Sequence, residues 1–136
     1  MQTFLPVADF YESVKILDKK RAWKQVVEAK QILDILAGKT IGWKTHPAVL
    51  MWKSYETALT QYYNIFWSYC VKIHKIKTKK TTLLPESKNI IMPFWFGEEQ
   101  FHSSHRSNLL RKNFEFYSQY GWQEPSDKLY VWPKTV

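Results

Sequence analysis

Three polar side chains, Arg21, Gln25 and Glu28, interrupt the apolar face of a predicted helix. In the stretch RAWKQVVEAKQILDILAG the apolar residues recur every three or four positions and therefore share one face. At about 100° per residue, these polar residues fall beside Ile32 on that face, not opposite it. A carboxylate at the border of a core is costly unless a partner or a reaction uses it. Glu28 is therefore a candidate catalytic acid, with an ion pair to Arg21 or Lys24 as the alternative.

The charge balance favours an anionic partner. Lys and Arg total 20 against 12 Asp and Glu, which gives a formal net charge of +8 and an isoelectric point near 9.5. Such an excess is typical first of nucleic-acid-binding proteins and second of proteins at membrane surfaces. One segment concentrates the charge, as either a solvated stretch or a phosphate-binding one. Its members are Lys72, Lys75, Lys77, Lys79 and Lys80.

Several features restrict the class of protein. The single cysteine, Cys70, excludes an internal disulfide and fits a reducing compartment. Met1 is not followed by a basic and then apolar leader, and no apolar run is long enough to span a bilayer. The length of 136 residues suits one domain with one core. We therefore expect a single domain over 1–136 that is cytoplasmic and associated with DNA.

Helical periodicity and only four glycines predict an all-α fold. We expect a compact single-domain bundle of about four helices, with an extended N-terminal arm over residues 1–6 and an irregular aromatic C-terminal tail from residue 120. Gly38 is the predicted stop of the second helix, and Pro47 is the predicted first residue of a long third helix. The predicted helices cover about 8–18, 20–37, 47–75 and a stretch that begins near 98.

Further candidate DNA-binding side chains lie outside the second helix. His46 either contacts phosphate or caps the third helix, for which Thr45 is the alternative cap. His102, His105 and Arg106 lie within about one turn of the fourth helix, where they are candidates for contact with phosphate or with a displaced base. Arg106 is the foremost of these candidates.

Arg111 and Lys112 extend the basic surface of the same helix, or else complement its dipole. Trp43, Trp95 and Trp132 lie in predicted loops and are the candidates for stacking on a base. No metal site is predicted, because too few ligands converge in the sequence.

Four strings of the chain together resemble a known family: RAWKQVVEAKQIL, GWKTHPAVLMW, FHSSHRSNLLRKNFEFY and YVWP. Their order and spacing are similar to the pyrimidine-dimer DNA glycosylase family, which includes the phage-type endonuclease V, and above all to its bacterial branch. The resemblance implies a small helical enzyme of base excision repair. Such an enzyme removes a UV-damaged pyrimidine and then acts as an abasic-site lyase. The implied partner is double-stranded DNA containing damaged bases, bound by a monomer without a cofactor or a membrane.

The resemblance also implies that the nucleophile is an N-terminal amine, assisted by a glutamate and flanked by phosphate-holding arginines. An α-amine has a reference pKa of about 8, against about 10.4 for lysine, so a useful fraction is neutral near pH 7. Because Gln2 is bulky, we expect Met1 to be retained and to supply this amine. In the family's register Arg21 matches a phosphate-holding arginine, but Ala22 stands at the catalytic glutamate. The glutamate role is therefore assigned to Glu28, which lies nearly two turns from Arg21.

Within the second helix, Lys24 and Gln25 join Arg21 as candidate DNA contacts. Two other functions stay open at this point. A non-catalytic nucleic-acid-binding protein on the same scaffold would bind DNA in a salt-sensitive manner without releasing a base. A metal-dependent nuclease using His46, His102 and Glu28 would lose cleavage in EDTA. Cyclobutane dimers are the implied lesion by resemblance alone.

Overall fold

The structure is a computed structural model that describes residues 1–133, and within them it contains six helices and no strand. This confirms the predicted all-α class. The helices are α1 (Phe10–Ile16), α2 (Lys19–Leu36), α3 (Pro47–Leu50), α4 (Glu56–Lys72), α5 (Glu99–Lys112) and α6 (Phe114–Tyr117). A short 3-10 helix, Ser118–Tyr120, follows α6. The most extensive packing between helices joins α2 to α4. None of the described helices combines the length and the apolarity that crossing a membrane requires.

Local sequence explains the bounds of α2. Asp18 is the N-cap, and its side chain accepts a hydrogen bond from the Arg21 backbone N–H. One face carries Val26 and Ile32, both completely buried. The helix ends before Gly38, whose φ of +76° is a left-handed conformation that glycine adopts without strain. The helix therefore begins and ends within one residue of the predicted positions.

The prediction of one continuous third helix is wrong. Helix α3 ends at Leu50 and α4 begins only at Glu56. Between them Ser54 has a φ of +73°, which is incompatible with the interior of a right-handed helix. Trp52 lies in this break, is completely buried, and donates its indole N–H to Thr3 Oγ1 at 2.9 Å. The break thus accompanies a contact between Trp52 and the N-terminal arm, which local periodicity does not reveal.

The N-terminal arm (residues 1–6) has no helix, as predicted, and residues 2–6 are buried in the core. Leu5 is completely buried. At the other end, residues 121–133 also form no helix, and Trp122 stacks on Tyr117 at a ring separation of 5.9 Å. This agrees with the predicted irregular aromatic tail, whose last residues, 134–136, lie outside the described part of the chain.

Candidate active site

A basic groove of about 570 Å³ opens where the arm meets α2 and the end of α5. The cations Lys20, Arg21, Lys24 and Lys112 line it together with the terminal residue Met1. The carboxylates in the lining are Asp18 and Glu28, so positive charge prevails. The remaining lining residues are Gln2, Phe4, Gln25, Asn113 and Tyr130.

Glu28 is bound to the start of the arm. Its Oε2 accepts a hydrogen bond from the backbone N–H of Gln2 at 2.7 Å. Its Oε1 lies 3.8 Å from Lys24 Nζ, so of the two ion pairs considered as the alternative to catalysis the structure contains the one with Lys24. Because the Lys24 side chain is 68% exposed, solvent screens that pair. Glu28 therefore lies one peptide unit from the residue that carries the terminal amine, Met1.

Arg21 pairs with a different carboxylate from the one predicted. Its Nη1 lies 3.3 Å from Asp18 Oδ1, and the Tyr117 hydroxyl donates to the same oxygen. Arg21 still lines the groove, and this pairing holds its guanidinium at the N-terminus of α2. Glu28 is thus not paired with Arg21.

Gln25 faces the arm from α2. Its side chain is almost completely buried, and its Oε1 accepts from the Phe4 backbone N–H at 2.8 Å and lies 3.4 Å from the Tyr62 hydroxyl oxygen. The Tyr62 hydroxyl also lies 3.0 Å from the Phe4 carbonyl oxygen, to which it donates. Both backbone polar groups of Phe4 are therefore bonded to side chains of α2 and α4.

Helix α5 holds the next residues of the arm. The Leu5 N–H donates to His105 Nδ1 at 2.9 Å, and the Leu5 carbonyl accepts from His102 Nδ1 at 2.8 Å. Arg106 Nη1 donates to the Pro6 carbonyl at 2.8 Å. These three side chains were predicted to contact DNA, but none of them lines the groove, and the two histidines are buried in the core. His105 is completely buried and His102 is 2% exposed.

Burial lowers the pKa of both of these histidines. Burial, followed by the neighbouring His102, lowers the pKa of His105 to about 3. Burial also lowers the pKa of His102, against the opposing effect of its hydrogen bond to Leu5. Arg106 is bound to Glu124 at 2.8 Å and to Glu99. Its guanidinium is therefore engaged within the protein.

His46 caps α3, because its Nδ1 accepts from the Ala48 backbone N–H at 3.0 Å. Thr45, the alternative cap, is therefore not used. Burial and then the ammonium of Met1 lower the pKa of His46, while Glu28 opposes them. The His46 ring thus lies within the electric field of both the terminal amine and the carboxylate.

The cations of the groove act on one another. Burial, followed by Arg21, Lys24 and Arg111, lowers the pKa of Lys112, and Glu28 partly offsets them. Arg111 is exposed beside Lys112 and bonds to Asn108. A polyanion that enters the groove would relieve this mutual repulsion.

Several residues of the groove lining were not among the candidates predicted from the sequence. Lys20 was missed although it precedes Arg21 in the same basic turn, which is the signal that could have found it. Asn113 and Tyr130 come to the groove only through packing of α5 and of the tail. Trp95 was a candidate for stacking on a base, but it is 1% exposed and donates to the Met51 carbonyl at 3.0 Å. Its burial removes it from that role.

Within residues 1–133, no three or more His, Cys, Asp or Glu side chains form a group that could hold a metal ion. His102, one of the three residues named for a metal nuclease, is buried against the arm. The structure does not bring it to the groove with Glu28.

The profile of the pyrimidine dimer DNA glycosylase family matches residues 1–72, which is more than half of the chain. The matched stretch contains the arm and helices α1–α4, and therefore Met1, Arg21 and Glu28. The chain belongs to this family of DNA repair enzymes, whose substrate is DNA with pyrimidine dimers. No curated protein and no solved structure matches the chain significantly.

Proposed function

We propose that this protein is a DNA glycosylase with abasic-site lyase activity, of the endonuclease V type and the bacterial branch, with the Met1 α-amine as nucleophile. The observation that carries the proposal is the contact between the Glu28 carboxylate and the Gln2 N–H at 2.7 Å, in a groove that Met1 and four cations line. It puts a carboxylate beside the terminal residue. The chain acts as a single monomeric domain on duplex DNA.

The chemistry follows from these two groups. The neutral amine of Met1 attacks C1′ of the damaged nucleotide, the glycosidic bond breaks, and the base leaves with the bonding electron pair. The amine loses one proton when the bond between its nitrogen and C1′ forms, and O4′ takes up a proton as the sugar ring opens, which leaves an iminium between Met1 and C1′. Loss of a proton from C2′ then expels the 3′ phosphate and breaks the strand on the 3′ side. Glu28, whose side chain is 13% exposed, stabilises the positive charge that develops on the sugar and takes up and returns these protons.

The cations of the groove bind the flanking phosphates. Arg21, Lys24 and Lys112 line it from two different helices, so they can contact a bent or opened strand on both sides of the lesion. Arg111 extends this surface beyond Lys112. Such phosphate contacts fix the orientation of the duplex relative to the groove.

Four of the residues predicted to contact DNA have a different role in this proposal. Gln25, His102, His105 and Arg106 bind the backbone of residues 4–6 and act on the reaction by fixing the arm. His46 belongs to neither group, because it caps α3 and its pKa is lowered by burial and by the Met1 amine. We propose that it contacts the DNA as a neutral imidazole.

The test is borohydride trapping on duplexes that carry either an abasic site or a cyclobutane dimer, followed by mass mapping of the adduct. The expected adduct is on the Met1 amine. The other amines of the groove belong to Lys20, Lys24 and Lys112, and an adduct on any of them would overturn the assignment of the nucleophile. Salt-sensitive binding with no trapping on any duplex would favour the non-catalytic alternative.

Glu28→Gln tests the role of the carboxylate. The amide keeps an oxygen that accepts from the Gln2 N–H, so we expect the arm and DNA binding to be retained and turnover to fall by about a hundredfold or more. Glu12→Gln is the matched control, because Glu12 is 55% exposed on α1 and pairs only with Lys15 among the described contacts of its side chain. Full turnover by Glu28→Gln would refute the assignment.

A further inference from the structure

A basic strip follows α4, in the segment that the sequence leaves as either solvated or phosphate-binding. It consists of Lys75, Lys77, Lys79 and Lys80, all of which are exposed. None of the four pairs with a carboxylate within residues 1–133. The strip also lies beyond residues 1–72, which match the family profile. Its positive charge is therefore available to an anionic partner.

Hydrogen bonds hold this segment against α4. The Ile76 N–H donates to the Cys70 carbonyl at 3.1 Å, and the Tyr63 hydroxyl donates to the Thr82 carbonyl at 2.9 Å. Directly before Ile76, Lys75 has a φ of +58°, a left-handed conformation that turns the chain back after α4. The strip therefore runs back along α4 in a fixed position, although it forms no helix.

Exposure alternates along the strip. Lys75, Lys77 and Lys79 are exposed, whereas Ile76 and Thr78 between them are partly buried. Alternate side chains of an extended chain lie on one face, about 6–7 Å apart. From its first to its last lysine the strip spans at most about 18 Å. This length corresponds to about five base pairs of a duplex at about 3.4 Å per base pair.

The strip begins beside the start of α2. The ring of Tyr69 near the end of α4 lies 5.9 Å from that of Tyr11 on α1 and 5.3 Å from that of His74. Helix α1 leads directly into α2. Burial and then Lys19 lower the pKa of His74, while Asp18 opposes them, so both residues at the start of α2 act on the residue that precedes the strip.

Exposed cations on α2 connect the groove to the strip. From Glu28 in the groove, the helix turns by about 40° to Lys24 and by about 80° to Lys20. It turns by about 180° to Lys19, which lies on the opposite side. All three lysines are exposed. The groove and the strip are therefore two edges of one basic surface, separated by about one helix diameter, or about 10–12 Å.

We propose that the basic strip binds the phosphate backbone of the duplex that flanks the lesion, as a second DNA contact surface across α2 from the groove. The inference rests on the proposed function and adds where the flanking duplex lies. Lysine contacts to phosphate carry no base readout, so the strip binds damaged and undamaged DNA alike. An anionic membrane would instead suit a basic amphipathic helix, and residues 75–80 form no helix.

The test combines Lys77→Gln, Lys79→Gln and Lys80→Gln in the full chain and measures binding to an undamaged duplex several times longer than the strip. Each phosphate contact contributes about 0.9 to the salt slope, so the slope should fall by about two to three. The matched control combines Lys39→Gln, Lys53→Gln and Lys88→Gln, which removes the same charge from exposed positions outside the strip and the groove lining. Its slope should stay close to that of the wild type. An equal fall in both variants, or an unchanged slope in the strip variant, would overturn the proposal.

Two further measurements separate this inference from its alternatives. The strip variant keeps Met1 and Glu28, so at saturating abasic duplex its borohydride trapping rate should equal that of the wild type. If the wild type traps nothing while its salt slope still depends on the strip, the lyase proposal fails and the strip proposal stands. If the strip variant instead loses binding to phosphatidylserine vesicles with an unchanged DNA salt slope, the strip belongs to a membrane contact and the proposal fails.

Discussion

Replacing Gln25 by methionine tests whether the helices fix the arm through side-chain hydrogen bonds. Gln25 Oε1 accepts from the Phe4 N–H at 2.8 Å inside the core. Methionine has a similar length and shape but does not provide this acceptor. The variant should therefore keep the packing of α2 and lose the hydrogen bond to the arm.

The expected loss in the free energy of unfolding follows from the number of hydrogen-bond donors that lose a partner. The Phe4 N–H loses its acceptor, whereas the Tyr62 hydroxyl keeps the Phe4 carbonyl at 3.0 Å. One buried donor without a partner costs about 1–3 kcal/mol. We therefore expect the free energy of unfolding of Gln25→Met to fall by about 1–3 kcal/mol, measured by urea denaturation.

The activity should change in a specific way. Phe4 lies three residues from Met1, so a loosened Phe4 allows the amine to move relative to Glu28. A misplacement on the order of 1 Å lowers the rate of an oriented reaction by about a hundredfold. Single-turnover trapping under folded conditions should slow by about ten- to a hundredfold, while DNA affinity at the same salt concentration stays close to that of the wild type.

Gln31→Met is the matched control, because Gln31 is exposed on the same helix. It should change stability by less than about 0.5 kcal/mol. If Gln25→Met loses the expected stability but traps at the wild-type rate, the arm does not set the position of the amine. If it loses no stability, the hydrogen bond to Phe4 does not hold the arm.

Three further outcomes follow from the structure. The folded chain leaves His105 unprotonated down to a pKa of about 3, while the unfolded chain protonates it near 6.5, so stability is lost as the pH falls between these values. Urea denaturation at several pH values should show His105→Gln reducing that slope by up to about 1.4 kcal/mol per pH unit. If Lys112 contacts a phosphate, Lys112→Gln should lower the salt slope of DNA binding by about one, measured by titration at several salt concentrations. Burial raises the pKa of the Cys70 thiol to about 12, so iodoacetamide should label it only in urea, and rapid labelling of the native protein would contradict this.

The sequence predicts the features that depend on neighbouring residues. Helix α2 ends before Gly38 as predicted, because the left-handed stop is a local property. The break between α3 and α4 was not predicted, since the apolar spacing continues through Trp52. Helix α3 ends because of a tertiary contact, the hydrogen bond of Trp52 to Thr3, together with the turn at Ser54.

The candidate site likewise contains some features that the sequence predicts and others that it does not. The position of Glu28 at the edge of an apolar face singles out this carboxylate, and the structure brings it to the start of the arm. Helical spacing also groups His102, His105 and Arg106 on α5, but it cannot tell whether their shared face meets solvent or core. The structure turns His102 and His105 toward the core, where they bond to Leu5. Knowledge of where the arm passes would have been needed to predict this.

The buried arm explains why polar side chains interrupt the apolar faces of this bundle. A non-helical segment inside a core needs a partner for each backbone N–H and C=O, and no strand lies among the described residues to supply one. Most of the partners come instead from the helices, such as Gln25 for Phe4 and His105 for Leu5, while the Thr3 N–H donates to the Gln2 side chain within the arm. This fixes the arm in register, because a shift by one residue, about 3.3–3.6 Å, would break all of these bonds together. The same register sets the distance between Met1 and Glu28, so the polar residues of the core determine the geometry of the proposed reaction.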